Sequence, residues 1–217
     1  MSKTLKQIIE SAIGTVSGGL FVDDRNISTE QIEYKADEGR ALWCIDYYSK
    51  TGTIHPDWIQ RFYPEYDSEM QESKCMTTFY CPHILAFMDG TDGLRYFGAK
   101  DGYADNFTRI QSRAQLAAMM NHNIMRVGRR NYVLYQNGIG EAYTKTRIND
   151  TMMEGVFARP TEIPTFNRDK SNYPLDPAGV DYLEKYLTQT VLKMEISTPS
   201  DRKQDGVDST KLPRPIK

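Results

Sequence analysis

The chain has 217 residues, 39% of them hydrophobic and 26% charged, which is enough apolar material for one large domain or two small ones and too much for a disordered chain. Its formal net charge of -2 excludes a whole-molecule attraction to nucleic acid or anionic membrane, so any such contact has to be local. The opening MSKTLKQIIESAIGTV has no uninterrupted apolar stretch or small-residue cleavage site, and no segment approaches the roughly 20 apolar residues of a membrane span, so the expectation is a protein cytoplasmic at synthesis, without membrane contact.

Leu5, Ile8, Ile9, Ala12, Ile13 and Val16 recur at helical spacing until Gly18-Gly19, and predict a first helix. A second starts at ISTEQI, where Ser28 and Gln31 form a capping box and Ile27 with Ile32 a hydrophobic staple. Its apolar face runs through Ala36, Trp43 and Tyr47 to about Ser49, with Gly39 weakening the centre by roughly 1 kcal/mol relative to Ala. HPDWIQRFY predicts one short turn with Pro56 in its first positions.

From about Cys75 the pattern changes to short β-type runs: CMTTFY, HILAFM, LRYFGA, NFTRI, NYVLYQ and EAYTKTRI. Asp-Gly turns separate them, and Asn137-Gly138 marks a tight hairpin. SRAQLAAMMNH, with Ser112 and Gln115 as a second capping box, predicts a helix of about two turns between strands. Pro160 and Pro164 in GVFARPTEIPTF fit an edge strand or an extended exit. Asp176 then caps a last helix with Pro177 at its first position and a stripe of Val180, Leu183, Leu187, Val191 and Met194.

One-sided stripes from both chain ends need each other. The expected fold class is therefore α+β: a helical subdomain made by N- and C-terminal helices, with an inserted β-rich middle. The expected divisions are 1–68 (N-terminal helical part), 69–170 (β-rich part with a short helix), 171–197 (C-terminal helix on the N-terminal helices) and 198–217 (an extended arm). Ile8, Ile13, Ile32, Trp43, Leu183, Leu187 and Val191 are expected to share one helical core.

The chemistry-bearing residues are few. Cys75, Cys81 and His83 offer thiolate and imidazole in one window, but C-x5-C-x-H lacks the close knuckle of common zinc sites, and a fourth ligand would have to be Cys44, His55 or His122. Free, core-facing thiols and no metal are the expectation, since three cysteines cannot all pair within the chain. There is no G-x-S-x-G elbow, and a Cys–His pair requires assumed proximity. There is no phosphate-binding glycine loop either, so no cofactor is expected.

Asp23-Asp24, or Asp89 with Asp92, have the chemistry of a general acid–base pair or a divalent-cation site, and equally that of turns and solvated loops. Arg126, Arg129 and Arg130 beside Tyr132 suit either a phosphate contact or a solvated strand edge. Fourteen tyrosines against 8 Phe and 2 Trp point to interfaces or sheet surfaces, and Tyr182 and Tyr186 on the last helix suit either a partner or the core. No catalytic residue is assigned.

Several segments occur in a telling order: LKQIIESAIG followed by LFVDDRNISTEQIEYKADEGRALWC, then CMTTFYCPHIL, NYVLYQNG, MEGVFARPTEI and YPLDPAGVDYLEKYLTQTVLKME. Over nearly the whole chain this order resembles the ring or head-to-tail connector proteins of the virions of crAss-like and related short-tailed bacteriophages, stacked below the portal. More distantly it is similar to the tail-tubular gatekeeper and adaptor group. The resemblance implies a non-enzymatic protein of the virion neck or tail region, in the host cytoplasm during assembly, forming a ring of about twelve copies around the DNA channel. Its implied partners are copies of itself, the portal protein, adjacent tail or ring proteins, and phage DNA passing through without sequence-specific binding. The competing class is a small monomeric binding module or hydrolase with a disordered tail.

The last segment, 198–217, cannot build a core. Its sizeable apolar residues are Val207, Leu212 and Ile216, while Pro213 and Pro215 favour extension and Lys211, Arg214 and Lys217 carry charge. Twenty extended residues reach at most about 65 Å. The expectation is an arm that docks on a neighbouring subunit or ring through Val207, Leu212, Pro213, Arg214, Pro215, Ile216 and Lys217.

Overall fold

The computed structural model describes residues 3–16, 28–66, 76–100, 107–121, 131–136, 138–143 and 151–197, the side chains of 76, 120, 121 and 194–197 excepted. The expected glycine stop at 18–19, the Ile27 staple, Asp23-Asp24, Cys75, His122, the Arg126–Arg130 cluster, Asn137, the end of EAYTKTRI and the whole arm lie outside the described residues.

Helix α1 spans Leu5–Val16 and buries Leu5, Ile8, Ile9 and Ala12. A capping box starts it: Thr4 Oγ1 accepts from the Gln7 backbone N–H, and Gln7 Oε1 accepts from that of Thr4. Helix α2 spans Thr29–Thr51, opened by the Ser28–Gln31 box and closed by Gly52 in a left-handed conformation, φ 65°. The final helix, α4, spans Pro177–Ser197, with Asp176 Oδ2 accepting from the Gly179 N–H of its first turn. Between them in sequence lies α3, Arg113–Asn121.

Helices stand at the chain ends and strands in the middle, an α+β fold. Among the described residues one sheet has three strands in the order β1 (Gln60–Phe62), β7 (Thr151–Gly155), β3 (Leu94–Ala99), all antiparallel. The other has four described strands in the order β2 (Met76–Tyr80), β6 (Ile139–Tyr143), β5 (Asn131–Gln136), β4 (Phe107–Ile110); β4 and β5 run parallel, the other pairs antiparallel. Phe62, Met153 and Phe97 are in register across the first sheet and pack against Phe79, Val133 and Ala142 of the second. On the outer face of the second sheet, α3 covers Ile110, Tyr132, Leu134 and Tyr143 with Leu116 and Met119.

All seven residues expected in the helical core lie in one cluster. Ile8, Ile32, Leu183, Leu187 and Val191 are buried, and Ile13 and Trp43 are partly buried against them. α2 departs from a one-sided helix. Gly39 meets α4, with Ile32 and Ala36 buried on the same side, while Asp37, Arg40 and Cys44 are also buried, at positions that put them about 100° further round. Gly39, a propensity liability in sequence, is a close-approach site: a Cβ there would sit 2.5 Å from a ring carbon of Tyr186.

Other local expectations change. HPDWIQRFY supplies a 3-10 turn, Pro56–Trp58, and then β1, so a strand within 1–68 belongs to a sheet with β7. HILAFM makes only isolated bridges, Ile84 with Phe157 and Ala86 with Asp92, because the Asp89–Gly90 turn follows too soon for a ladder. TMMEG, unassigned in sequence, is the central strand β7. Gln115 Oε1 accepts from Gln111 N rather than Ser112 N, so the α3 box is not reciprocal.

Candidate interaction site

The site is built on the segment Gly155–Ile163, which carries the chain from β7 to the helices. Val156 and Phe157 are fully buried, and Pro160 opens a 3-10 turn that ends at Glu162. Under it, Arg40 on α2 is fully buried and donates to three carbonyl oxygens: Nε to Pro174 O at 2.8 Å, Nη1 to Phe157 O at 2.7 Å, Nη2 to Trp58 O at 3.3 Å. One guanidinium fork thus ties α2 to the end of the first sheet, the entry to β1 and the entry to α4.

One turn away, Asp37 accepts from Thr161 Oγ1 at 2.5 Å and Tyr173 OH at 2.7 Å. Burial pushes its carboxyl above the usual range, and the two hydroxyl donors and Arg40 only partly offset this. Asp176 behaves oppositely. Burial raises it, but the N–H groups of Trp58, Trp43 and Gly179 outweigh that and hold it below the usual range.

Above this hub lies an exposed strip of residue types common at contact hot spots. Arg159 lies over the ring of Tyr34, 5.0 Å from its centroid, and donates to Glu162 at 2.9 Å. Glu162 Oε2 is 3.4 Å from His83 Nδ1. Tyr80 and Ile139 face each other across β2 and β6, both exposed. Tyr34, Tyr80 and Ile139 are each more than half exposed, at 52%, 54% and 54%.

A groove of about 960 Å³ opens beside β1. Its walls are β1 with the preceding turn and the segment 163–175, including Pro56, Tyr63, Phe166 and Pro174. Asp57, Arg61 and Glu154 bring charge to it, Arg61 Nε donating to Glu154 Oε1 at 2.7 Å. Gln60 also lines it, and its side-chain oxygen is buried without a hydrogen-bond partner among the described residues.

Cys44 sits in the helical core and Cys81 in the core between the sheets. Burial pushes their thiols up to about 11 and about 12, so both are protonated at neutral pH and poor nucleophiles. His83 is on the surface beside Glu162, and His55 caps the Pro56 turn. Among the described residues, no three of His, Cys, Asp and Glu are grouped to hold a metal ion. Asp89 is committed to its turn, accepting from Thr91 and Tyr48, and Asp92 pairs with Arg109. Tyr182 and Tyr186, both half-buried, stack on each other, and Tyr182 also meets the Trp43 ring at a tilt of 33°.

Sequence reasoning passed over Asp37 and Arg40, although the signal was there: both share a buried helical sector with Cys44, at spacings of seven and four. The strip and groove left no such signal, since each joins residues from distant segments. Comparison with protein-family models gives no match to this chain, and comparison with curated proteins gives none.

Proposed function

We propose that the chain is a non-enzymatic structural protein of a phage virion, forming a ring in the portal-to-tail connector around the DNA channel. The observation that carries this reading is the double role of Gly155–Ile163. The segment most particular to the sequence resemblance, GVFARPTEI, is also the one locked by Arg40 and Asp37 and displaying Arg159 beside exposed Tyr34. A ring subunit needs a contact surface held rigid before assembly, so that little entropy is lost on docking. A buried fork behind an exposed aromatic–arginine strip supplies that.

In this reading copies of the chain contact each other and the portal or adjacent ring and tail proteins, the arm 198–217 docks in trans, and DNA passes without sequence-specific contact. A slightly acidic chain, net charge -2, suits a channel through which DNA slides. The mass of the particle tests it. Light scattering should find the purified chain in a species near twelve times 24.9 kDa, roughly 300 kDa, or find that it adds about that mass to portal assemblies. Replacing Arg159 and Tyr80 by Glu should abolish that species and leave the subunit folded. A chain that stays monomeric with portal present and turns over a small molecule at the groove supports a binding module or hydrolase instead.

A further inference from the structure

We propose that the groove beside β1 is the receptor for the C-terminal arm of an adjacent copy, taking residues 207–217 as an extended, proline-containing peptide. The proposal rests on the ring reading above and names which surface receives the arm. Among the described residues β1 is a three-residue edge strand with its ladder to β7 on one side only. An extended segment entering the groove can lie along the other side. Gln60 of β1 lines the groove on that side.

The lining fits this peptide's composition. Exposed Pro56 and Tyr63, with half-buried Phe166, make an aromatic–proline wall of the kind on which prolines in the polyproline conformation pack. Pro213 and Pro215 supply those prolines, with Leu212 and Ile216 as flanking apolar anchors. Charge agrees as well. The arm from 207 onward carries Lys211, Arg214 and Lys217 against one acid, Asp208, and the groove carries two carboxylates, Asp57 and Glu154, against one guanidinium, Arg61.

The direction of α4 favours an arm from another copy. Trp43 of α2 meets Gly179 in the first turn of α4, whereas Gly39, one turn earlier in α2, meets Leu183 and Tyr186 further along, so the two helices run antiparallel. Pro174 and Leu175, just before α4, line the groove. The arm leaves from the opposite end, after 21 helical residues, about 30 Å away. An arm returning to its own groove would spend nearly half of its roughly 65 Å reach retracing the helix before its anchors could engage.

The test uses the full chain with a photo-cross-linking benzoylphenylalanine in place of Leu212, assembled from equal parts of 15N-labelled and unlabelled copies. The expected result is adducts on 56–63 or 163–175 that join a labelled and an unlabelled copy. Asp57→Lys with Tyr63→Ala, two exposed positions, should lower their yield at least about fivefold without changing the melting temperature. Groove adducts confined to single copies, adducts mapping elsewhere, or no adducts would each overturn the proposal. Light scattering on the same sample separates it from the ring: inter-copy groove adducts in a sample of open dimers keep the docking and sink the ring.

Discussion

The indole N–H of Trp58 donates to Oδ1 of Asp176 across 2.9 Å, joining the turn before β1 to the residue that caps α4. Trp43 of α2 donates to the same oxygen at 2.8 Å. A single carboxylate therefore caps the start of α4 and holds α2 and the turn before β1 against it, with Trp58 fully buried.

Asp176→Ala should cost on the order of 3–5 kcal/mol, because it removes the acceptor of a buried indole N–H and of a second, partly buried one, together with a helix cap. Asp176→Asn keeps an oxygen for both indoles but turns an N–H₂ toward Gly179, so its cost should be nearer about 1–2 kcal/mol. Urea denaturation of the two variants measures the difference. Equal costs would show that the indole bonds contribute little.

Gly39→Ala separates helix propensity from packing. Propensity alone predicts a gain of about 1 kcal/mol. The added Cβ would meet Tyr186 and Leu183 at 2.5 to 2.9 Å, and forcing α2 from α4 should instead cost about 1–3 kcal/mol. A raised melting temperature would mean that the helices part easily.

Arg40→Met removes the fork from beneath the carbonyls of Trp58, Phe157 and Pro174. Each buried carbonyl left unpaired costs about 1–3 kcal/mol, so a loss of at least about 3 kcal/mol is expected. Arg40→Lys should not restore it, since an ammonium at the end of a flexible stem cannot reproduce the planar spread of the guanidinium. Thermal melts of both variants, compared with the parent chain, are the check.

Asp37 and Asp176 should respond to acid with opposite signs. The folded carboxyl of Asp176 is held below its unfolded value, near about 3.9. Its contribution is therefore full above about pH 4 and lost as pH falls through the folded value. For Asp37 the folded value is raised, so its contribution is greatest below the unfolded value and lost as pH rises through the folded one. Asp37→Asn should accordingly melt at or above the parent temperature at pH 7, with the difference vanishing near about pH 3. A variant that is less stable at pH 7 and matches the parent in acid would reverse the sign.

Local chemistry was enough to write the helices. Ser28 with Gln31 and Asp176 with Pro177 carry their cap signals within a few residues, and the stripe from Leu183 to Val191 repeats within one element. β3, β4 and β5 were equally legible, because β-type residues bounded by turns announce a strand whatever it pairs with. What sequence alone could not decide was which distant groups meet. β7 emerges as a central strand only because β1 and β3 flank it, since TMMEG has neither alternation of polarity nor β-branched enrichment. Gly39 changed from a weak point to a contact once Tyr186 lay across it. Arg40, an ordinary helix residue by composition, became the hub because three carbonyls from separate segments converge on it. Periodicity, capping and turn chemistry act over a few residues and are written locally, whereas the partner of a buried charge and the walls of a groove are set by long-range packing.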